Sequence, residues 1–408
     1  MSDKKFLIFM PLGPMQYPAL KYIQENNIGI IGFDGAIDPA LKDLCDIFVN
    51  IDIFDIPKCL KAVNDLKKNY QISGALTTSA DCHYTIAIIS KELNSNLTWD
   101  DNISEICNNK FKTREFLRDI VAQPKSYEIE SFGEIEKLYP IIKDIEVILK
   151  SPDSSGSRGF KEFKGLDEIR KADFEFTKSF SRSGKVLLEE KIIKTEKGIS
   201  EISAEAYFYK DKIKLVNVVD RIFTDDVKKF KSLHIFKNNN FNSAIELGHI
   251  NPTTVKKPII QKIEALYKEI FDRLINITSL DLISLKLDLM IDVNENPILL
   301  EMTPRTSGGW DSCYSNIMIS GNILRTQIDY VIGIKNKLEV FEQLNSFDMA
   351  NHRLVVLGVP EANSENCIGR KFYTSCLNSL DKSIESVIES AIENYKKGNE
   401  LEPISITK

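Results

Sequence analysis

The amino-acid sequence predicts a mixed α/β fold that is divided into two or three domains. Short β-branched runs alternate with helical stretches from residue 5 to about residue 105, which is typical of a parallel sheet covered by helices. Antiparallel strands and a β-hairpin are predicted farther along, between residues 185 and 302. The length of 408 residues supports the division, since one domain usually holds about 100 to 200 residues.

Composition and charge narrow the classes of function. The chain is 43% hydrophobic and 27% charged, as in soluble globular proteins, and no apolar run reaches the about 20 residues that span a bilayer. Its net charge is −6, with basic and acidic residues mixed, which argues against a nucleic-acid-binding surface. The seven cysteines are scattered without a CxxC pair, so neither a disulfide framework nor a zinc site is indicated. We therefore expect a cytoplasmic protein with small-molecule partners and no nucleic-acid or membrane partner.

The first hundred residues predict a parallel sheet with helices on its faces. The predicted strands and helices follow one another in the order Phe6–Phe9, Tyr17–Glu25, Ile28–Phe33, Gly74–Thr77 and Tyr84–Leu93. Asp34 ends the second strand and Asp81 follows a Thr-Thr-Ser turn, where such sheets commonly hold ligands. Both aspartates are also compatible with capping the helices that follow, so the two interpretations stay open.

The middle and the end of the chain contain both strands and helices. Residues 185–220 predict antiparallel strands, with Lys185–Ile193 and Ser203–Tyr209 joined by a polar loop that contains Gly198. Other predicted elements are Lys110–Leu117, Val147–Lys150, 255–277, Arg353–Leu357 and Ser383–Lys397. In the helix at 255–277, apolar residues recur at spacings of three and four and predict a buried stripe: Ile259, Ile260, Ile263, Leu266, Ile270 and Leu274.

The segment Leu285–Met302 predicts a β-hairpin that carries two opposed carboxylates. Its apolar residues alternate with polar ones, and Asn-Glu-Asn-Pro supplies the turn. A turn centred on Asn294 and Glu295 places Asp288 directly opposite Glu301. Facing carboxylates repel unless a cation lies between them, and magnesium prefers such oxygen ligands. The alternative is a solvated edge that carries two unrelated acids.

A candidate anion site follows the hairpin directly. Residues 303–309 read Thr-Pro-Arg-Thr-Ser-Gly-Gly, which puts Arg305 close to the pair Gly308-Gly309. The planar guanidinium suits phosphate or carboxylate, and glycines let the backbone approach an anion closely. An anion site beside a metal site predicts phosphoryl transfer.

Two lysines, a loop of small residues and a pair of acids suggest a nucleotide site. Lys150 ends a predicted strand and precedes the loop Ser151–Phe160, whose amides can cover phosphates, and Lys110 opens a helix. Walker A and GxGxxG spacings are missing, which disfavours P-loop and dinucleotide-binding sites. Glu189-Glu190 follows an apolar strand, the mixture that an adenosine pocket needs. Taken singly, each feature is also compatible with a flexible loop, a solvated lysine or an ordinary strand end.

Taken in order, these motifs resemble the ATP-grasp superfamily, in particular its L-amino acid ligases and biotin carboxylase-like enzymes. The resemblance covers about residues 5 to 325 and rests on Lys110, Lys150 with Ser155–Gly159, Glu189-Glu190, Asp288, and Glu301 with Pro304-Arg305. It implies a pre-ATP-grasp, Rossmann-like domain at 1–105, an ATP-grasp domain at 106–330 with a mobile lid at about 122–188, and a C-terminal α+β subdomain at 331–408.

The resemblance also implies functions for individual residues. ATP would be bound by Lys110, Lys150, Ser155, Gly156, Ser157, Glu189, Glu190, Lys191, Ile192 and Ile193, with the last four forming the hinge at adenine. Magnesium, with manganese as the alternative ion, would be held by Asp288, Glu301 and Thr303. Catalytic contacts would come from Arg305, Lys150 and Arg158, and Glu201 or Glu205 would lie near the ribose or the substrate.

Two positions qualify the resemblance. The family usually has asparagine two residues after the second acid, whereas this chain has Thr303, a poorer metal ligand that puts a second magnesium ion in doubt. His249 lies where family members often carry a segment that faces the substrate, although a lone histidine is also compatible with a structural role.

The implied activity is ATP-dependent ligation. A substrate carboxylate would attack the γ-phosphate of ATP to form an acyl phosphate, and an amine of the amino acid or small peptide type would then displace phosphate. Two alternatives stay open: a bicarbonate-dependent carboxylase, and an ATP-binding module without turnover. The resemblance also leaves a homodimer open.

Overall fold

The computed structural model describes residues 4–142, 145–154, 158–224, 226, 229–236, 246–307, 322–347, 353–360, 370–377 and 384–400. Their strands form one parallel sheet and two antiparallel sheets, which confirms the predicted mixed α/β class. We name these the N-terminal sheet (residues 5–76), the lid sheet (126–190) and the large sheet (201–377). In this part of the chain no helix is both long enough and apolar enough to cross a membrane.

The N-terminal sheet is parallel, as predicted. Its elements are β1 (Lys5–Phe9), α1 (Tyr17–Glu25), β2 (Gly29–Asp34), β3 (Ile47–Asn50), α2 (Ile56–Leu66), β4 (Gln71–Leu76) and α3 (His83–Leu93). The strand order is β3-β2-β1-β4, so the chain changes direction across the sheet between the neighbours β1 and β4. The loops after these two strands therefore flank a crevice of the kind that holds ligands in parallel sheets.

Asp34 binds the backbone of two loops rather than capping a helix. Its carboxylate accepts hydrogen bonds from the backbone N–H groups of Leu12 and Ala36, at 2.8 Å each. A polar backbone group that lies near the core needs such a partner, so Asp34 has a structural function in the two loops that it joins.

The lid sheet is a separate antiparallel layer. The chain reaches it through α4 (Asp101–Cys107) and α5 (Lys110–Phe116), and its elements are β5 (Ser126–Ile129), α6 (Gly133–Leu138), β6 (Val147–Lys150), β7 (Lys161–Phe163), α7 (Lys171–Lys178) and β8 (Val186–Glu190). The strand order is β5-β8-β6-β7. Val147, Leu149, Phe174 and Leu188 belong to a core cluster that this layer forms for itself.

The large sheet carries the remaining strands. Its elements, with the helices that the same segment contributes, are β9 (Glu201–Tyr209), β10 (Lys212–Phe223), β11 (Glu246–Asn251), α8 (Lys257–Leu274), β12 (Leu282–Ile291), β13 (Pro297–Thr303), α9 (Asn322–Val331), α10 (Lys337–Gln343), β14 (Arg353–Pro360), β15 (Arg370–Leu377) and α11 (Ile384–Lys397). The strand order is β13-β12-β9-β10-β11-β14-β15. Two strands from the C-terminal segment thus extend this sheet at its β11 edge.

One predicted connection is wrong. The sequence predicts strands at Lys185–Ile193 and Ser203–Tyr209 that are joined as antiparallel neighbours, but β8 pairs with β5 and β6 in the lid sheet. β9 pairs with β10 and β12 in the large sheet. Alternating hydrophobicity identifies a strand but not its partner, and the polar segment between these two strands crosses from one sheet to the other.

Helix α8 covers one face of the large sheet. Its predicted apolar stripe is confirmed, since all six residues from Ile259 to Leu274 are buried. They join the same core cluster as Ile202, Ala204 and Leu287 of β9 and β12. Because successive residues of a strand point to opposite faces, the polar residues between these apolar ones lie on the face that α8 leaves uncovered.

The carboxylate hairpin is confirmed, but its turn differs from the prediction by one residue. The N–H of Asp292 donates to the carbonyl of Asn296 at 3.0 Å, so the loop has three residues, and Glu295 takes the left-handed conformation at φ 59°. The turn is therefore centred on Asn294 alone. A register shift between Asp288 and Leu289 restores the expected pairing beyond it, and Asp288 lies opposite Glu301.

The packing of α8 can be tested with Ile263→Ala. Ile263 is fully buried, so we expect the free energy of unfolding to fall by about 2–5 kcal/mol through lost burial and a residual cavity. Chemical denaturation monitored by circular dichroism measures the change. The control Glu264→Ala alters the exposed neighbour on the same helix and should change stability by less than about 0.5 kcal/mol. Equal effects of the two substitutions would contradict the assigned helix face.

Candidate active site

The uncovered face of the large sheet carries two cross-strand rows over β13, β12, β9 and β10, in which all residues but Val219 are polar. The first row is Thr303, Lys286, Glu205 and Asn217, and the second is Glu301, Asp288, Ser203 and Val219. Residues that face each other across neighbouring strands lie within interaction distance. Acidic, basic and hydroxyl groups from separate parts of the sequence are thereby brought together on one surface.

The two opposed acids are held in their ionised form. Burial acts to raise the pKa of Asp288, but the charges of Arg221 and Lys286 outweigh it, so its pKa lies below its usual range. For Glu301, burial is likewise outweighed, by Lys110 and Lys286, and its pKa is lowered. Within the described residues, Asp288 Oδ1 is buried and has no hydrogen-bond partner. This oxygen is thus available to a cation.

A charged cluster extends from Asp288 across β10 and β11. Lys286 Nζ lies 2.5 Å from Asp288 Oδ2, and Arg221 Nη1 lies 3.3 Å from the same oxygen. The guanidinium of Arg221 also binds Glu246 through two hydrogen bonds of 2.9 Å. His249 Nε2 is 2.5 Å from Glu246 Oε1. His249 is therefore connected to the acidic pair through Glu246 and Arg221.

Lys110 joins three of the predicted motifs. It is the first residue of α5, where Asn109 caps the helix with its side chain. Its ammonium lies 3.1 Å from Glu301 Oε1 and donates to the carbonyl of Ser154 at 2.8 Å. Its backbone N–H donates to the carbonyl of Pro152 at 2.7 Å. Lys110 thus connects the start of the loop after β6 with the acidic hairpin.

Lys150 is held by a buried carboxylate. Its ammonium lies 2.5 Å from Glu189 Oε2, and Arg114 Nε binds the other oxygen of the same group at 2.9 Å. Burial acts to raise the pKa of Glu189, but the charges of Arg114 and Lys150 outweigh it and lower the pKa. The Glu189 side chain has 0% exposure. Its contacts are therefore with these two cations rather than with the surface of the site.

The segment after β8 connects the lid sheet with the large sheet. Glu190 accepts from the N–H of Lys125, and the N–H of Lys191 donates to the carbonyl of Glu146 at 2.8 Å. The carbonyl of Lys191 and the N–H of Ile193 have no hydrogen-bond partner in the described part of the chain. The side chain of Ile193 is exposed. This segment thus presents one acceptor and one donor that the described residues do not bind.

Arg305 binds Asp81, which connects the end of β13 with the loop after β4. Arg305 Nη2 is 2.5 Å from Asp81 Oδ1. Burial acts to raise the pKa of Asp81, but Arg305 outweighs it and lowers the pKa. Nearby, burial lowers the pKa of His83 to about 4, so this imidazole is neutral at physiological pH. Neither of its ring nitrogens has a hydrogen-bond partner among the described residues.

Strand β9 carries two glutamates, Glu201 and Glu205, whose surroundings differ. Glu205 is buried and accepts hydrogen bonds from the N–H of Ser307 and from the amide of Asn217. Burial raises the pKa of Glu201 to about 7, despite the opposing charge of Arg221. Glu205 thus supports the segment that carries Arg305, whereas Glu201 is poised to gain or lose a proton near neutral pH.

The structure places some of the remaining predicted residues and leaves others outside the description. Ser155, Gly156 and Ser157, and also the pair Gly308-Gly309, lie outside the described residues. Arg158 is exposed. Thr303 faces Lys286 across the hairpin, and its hydroxyl is buried without a hydrogen-bond partner in the described structure.

Sequence reasoning missed several charged residues of the site. Lys286 lies two positions before Asp288 on the same strand, and this period-2 spacing places both on one face. Arg114 lies four positions after Lys110, the helical spacing of neighbours on one face. Those two signals were present in the sequence. Arg221 and Glu246 had no comparable signal, because only the pairing of β10 with β11 brings them together.

Comparison with known proteins identifies the fold. No protein-family model and no curated protein matches the sequence. Among solved structures, the L-amino acid ligase from Bacillus licheniformis is 15% identical and has a TM-score of 0.66 over 88% of this chain and 80% of that chain. Phosphoribosylglycinamide synthetase from Anaerococcus prevotii is 19% identical, with a TM-score of 0.61 over 88% of this chain and 82% of that chain.

A third similar structure is the biotin carboxylase domain of the 2-oxoglutarate carboxylase from Hydrogenobacter thermophilus, in complex with MgADP, ADP and bicarbonate. It is 13% identical and has a TM-score of 0.63 over 90% of this chain and 77% of that chain. These similarities establish that the chain has the ATP-grasp fold, as the motifs indicated. At such low sequence identities, the similarities show the fold but not the reaction.

The buried ion pairs at Lys150 can be tested with Glu189→Gln. The substitution leaves Arg114 and Lys150 as uncompensated buried cations, so we expect the free energy of unfolding at neutral pH to fall by about 3–5 kcal/mol. The pKa of Glu189 in the folded chain lies below its ordinary value of 4.5, so its contribution is present above that pH and is lost on further acidification. The stabilities of the two proteins should therefore converge below about pH 4.5.

Denaturation midpoints measured from about pH 7 down to about pH 3 test this expectation. Glu190→Gln is the matched control, since a glutamine oxygen can still accept from the N–H of Lys125. A difference between the wild type and Glu189→Gln that stays constant with pH would contradict the assigned ion pairs.

Proposed function

We propose that this ATP-grasp chain is an ATP-dependent ligase, which activates a substrate carboxylate as an acyl phosphate and joins it to an amine of the amino acid or small peptide type. The observation that carries the proposal is the opposed pair Asp288 and Glu301, with Lys110 in contact with Glu301. Two ionised carboxylates beside a lysine suit a metal-bound polyphosphate. The division into domains at 1–105, 106–330 and 331–408, a cytoplasmic location and a homodimer remain predictions.

The nucleotide would lie between the lid sheet and the large sheet. The free carbonyl of Lys191 and the free N–H of Ile193 offer an acceptor and a donor to the edge of adenine. Lys110 and Lys150 would bind the phosphates, with Ser155, Gly156 and Ser157 as part of the covering loop. Glu189 would act through Lys150, by fixing the position of its ammonium, rather than by touching ATP. Glu190 would remain the hinge acid.

The oxygen donors on the hairpin fit a magnesium or manganese ion. Asp288 offers Oδ1, a buried oxygen without a hydrogen-bond partner among the described residues, and Glu301 lies opposite. Magnesium is commonly held by one or two carboxylates together with substrate phosphates. The buried hydroxyl of Thr303 is a third oxygen within the same surface. When bound, the ion would offset the negative charge of the transferring phosphoryl group.

The chemistry would proceed in two balanced steps. A carboxylate oxygen of the substrate attacks the γ-phosphorus, the bond to the bridging oxygen breaks, and ADP leaves. The amine then attacks the acyl carbon, phosphate departs with the carbon–oxygen electron pair, and the amine loses one proton. Arg305, held by Asp81, would bind the acyl phosphate or a carboxylate of the acceptor, and Arg158 would contribute from the lid.

A bicarbonate-dependent carboxylase is the second candidate. The solved biotin carboxylase domain with bound bicarbonate matches this chain with a TM-score of 0.63, close to the 0.66 of the L-amino acid ligase. The two reactions share activation by ATP and differ in the acid, so substrate dependence of ATP cleavage separates them.

The metal assignment can be tested with Glu301→Gln. Loss of one ligand charge at nearly constant shape should lower magnesium-dependent ATP cleavage by at least about 100-fold while leaving the circular dichroism spectrum unchanged. Glu295→Gln, in the turn of the same hairpin, is the control and should keep the wild-type rate. Turnover of Glu301→Gln at the wild-type rate would refute the assignment.

The reaction itself can be tested by release of ADP and phosphate from ATP and magnesium. Pools of amino acids, hydroxy acids or bicarbonate are supplied, and any pool that responds is divided further. We expect stimulation by amino acids with formation of an amide product, detected by mass spectrometry. Stimulation by bicarbonate alone would favour the carboxylase. Tight binding of ATP without stimulated cleavage in any pool would favour a binding module.

A further inference from the structure

We infer that the ammonium of Lys286 takes the place of one metal ion between the acids of this site, so that the chain binds a single divalent ion with its nucleotide. The inference rests on the proposed function, because it concerns the same site. Lys286 belongs to β12 and lies on the same face as Asp288, between Thr303 and Glu205 in the cross-strand row. Its position is therefore set by the sheet.

The first observation concerns the two oxygens of Asp288. Oδ2 is 2.5 Å from Lys286 Nζ and 3.3 Å from Arg221 Nη1, so two cations already share it. Oδ1 is the oxygen without a hydrogen-bond partner within the described residues. A carboxylate with one oxygen engaged in this way can offer only the other oxygen to a metal, and hence to one ion.

The second observation concerns Glu301. Its Oε1 is the oxygen that pairs with Lys110 Nζ, at 3.1 Å, so Oε2 is the less engaged of its two oxygens. The acidic pair thus provides two oxygens in total, one from each residue. One or two carboxylate oxygens, completed by phosphates and water, are the usual protein share of one magnesium shell.

The third observation is that Lys286 has unused hydrogen-bonding capacity. A lysine ammonium has three N–H donors, and the described residues provide Lys286 with a single hydrogen-bond acceptor, Asp288. The side chain is only 7% exposed, so it cannot reach bulk solvent freely. The remaining donors are suited to phosphate oxygens of the nucleotide. A fixed monovalent cation can in this way neutralise charge where a second divalent ion would otherwise bind.

The charge balance supports the same conclusion. Lys110, Lys286 and Arg221 already contact the two acids, and Arg221 also binds Glu246, so three positive charges meet three negative ones. The charges are thus balanced without a metal, and a divalent ion adds positive charge that the phosphates of the nucleotide offset. A second divalent ion would lie close to the Lys286 ammonium, and like charges at such distances repel strongly.

The test is the number of manganese ions bound per chain in the presence of saturating ADP. Manganese is titrated into the full chain, and free ion is measured by electron paramagnetic resonance. We expect one ion per chain for the wild type. For Lys286→Met, which removes the charge and frees Asp288 Oδ2, we expect two. Lys268→Met removes an exposed lysine of α8 and should bind one ion like the wild type.

Two outcomes would overturn the inference. Two ions in the wild type would show that Lys286 does not exclude a second metal, and one ion in a folded, ADP-binding Lys286→Met variant would show that the lysine does not decide the number. Circular dichroism and ADP affinity establish that the variant is folded. Failure of the wild type to bind ADP and manganese together would instead refute the proposed function, so the two failures are distinguishable.

Discussion

The repulsion between Asp288 and Glu301 is the constraint on which the rest of the site depends. Two carboxylates that face each other on neighbouring strands repel, and burial strengthens the repulsion because the surroundings screen it poorly. Cations from three elements offset this repulsion. They are Lys286 on β12, Arg221 on β10 and Lys110 at the start of α5. The hairpin, β10 and α5 must therefore come together before all of these charges are balanced.

Two further buried ion pairs fix the layers around this centre. Arg305 after β13 binds Asp81 after β4, and Arg114 on α5 binds Glu189 of the lid sheet. Burying an ion pair adds little net stability, because desolvation offsets the attraction, whereas removing one partner is costly. Such pairs therefore fix geometry more than they stabilise the fold. They hold the N-terminal sheet and the lid sheet beside Asp288 and Glu301. A bound polyphosphate would bring further negative charge there and would take over some of the cations from the carboxylates.

The carboxylate hairpin shows how a local pattern can predict a correct pairing through an incorrect turn. The alternation of apolar residues fixed which face each side chain takes, and the assumed turn centre placed Asp288 opposite Glu301. The turn itself is centred on Asn294 rather than between Asn294 and Glu295, and a register shift after Asp288 compensates for the difference. A bulge depends on how the strand packs at one point, which hydrophobic alternation does not reveal. The same limit explains why β8 was assigned to the wrong neighbour.

By itself, the sequence determined the features that repeat at short range. The parallel α/β alternation before residue 105, the apolar stripe of α8 and the order of acids, lysines and the arginine all follow from spacings of a few residues. Only the tertiary structure decided which charges meet. Arg114 and Glu189 are 75 positions apart, and Asp81 and Arg305 are 224 apart. Contacts across such separations depend on how complete sheets pack against one another, and no local periodicity encodes that packing.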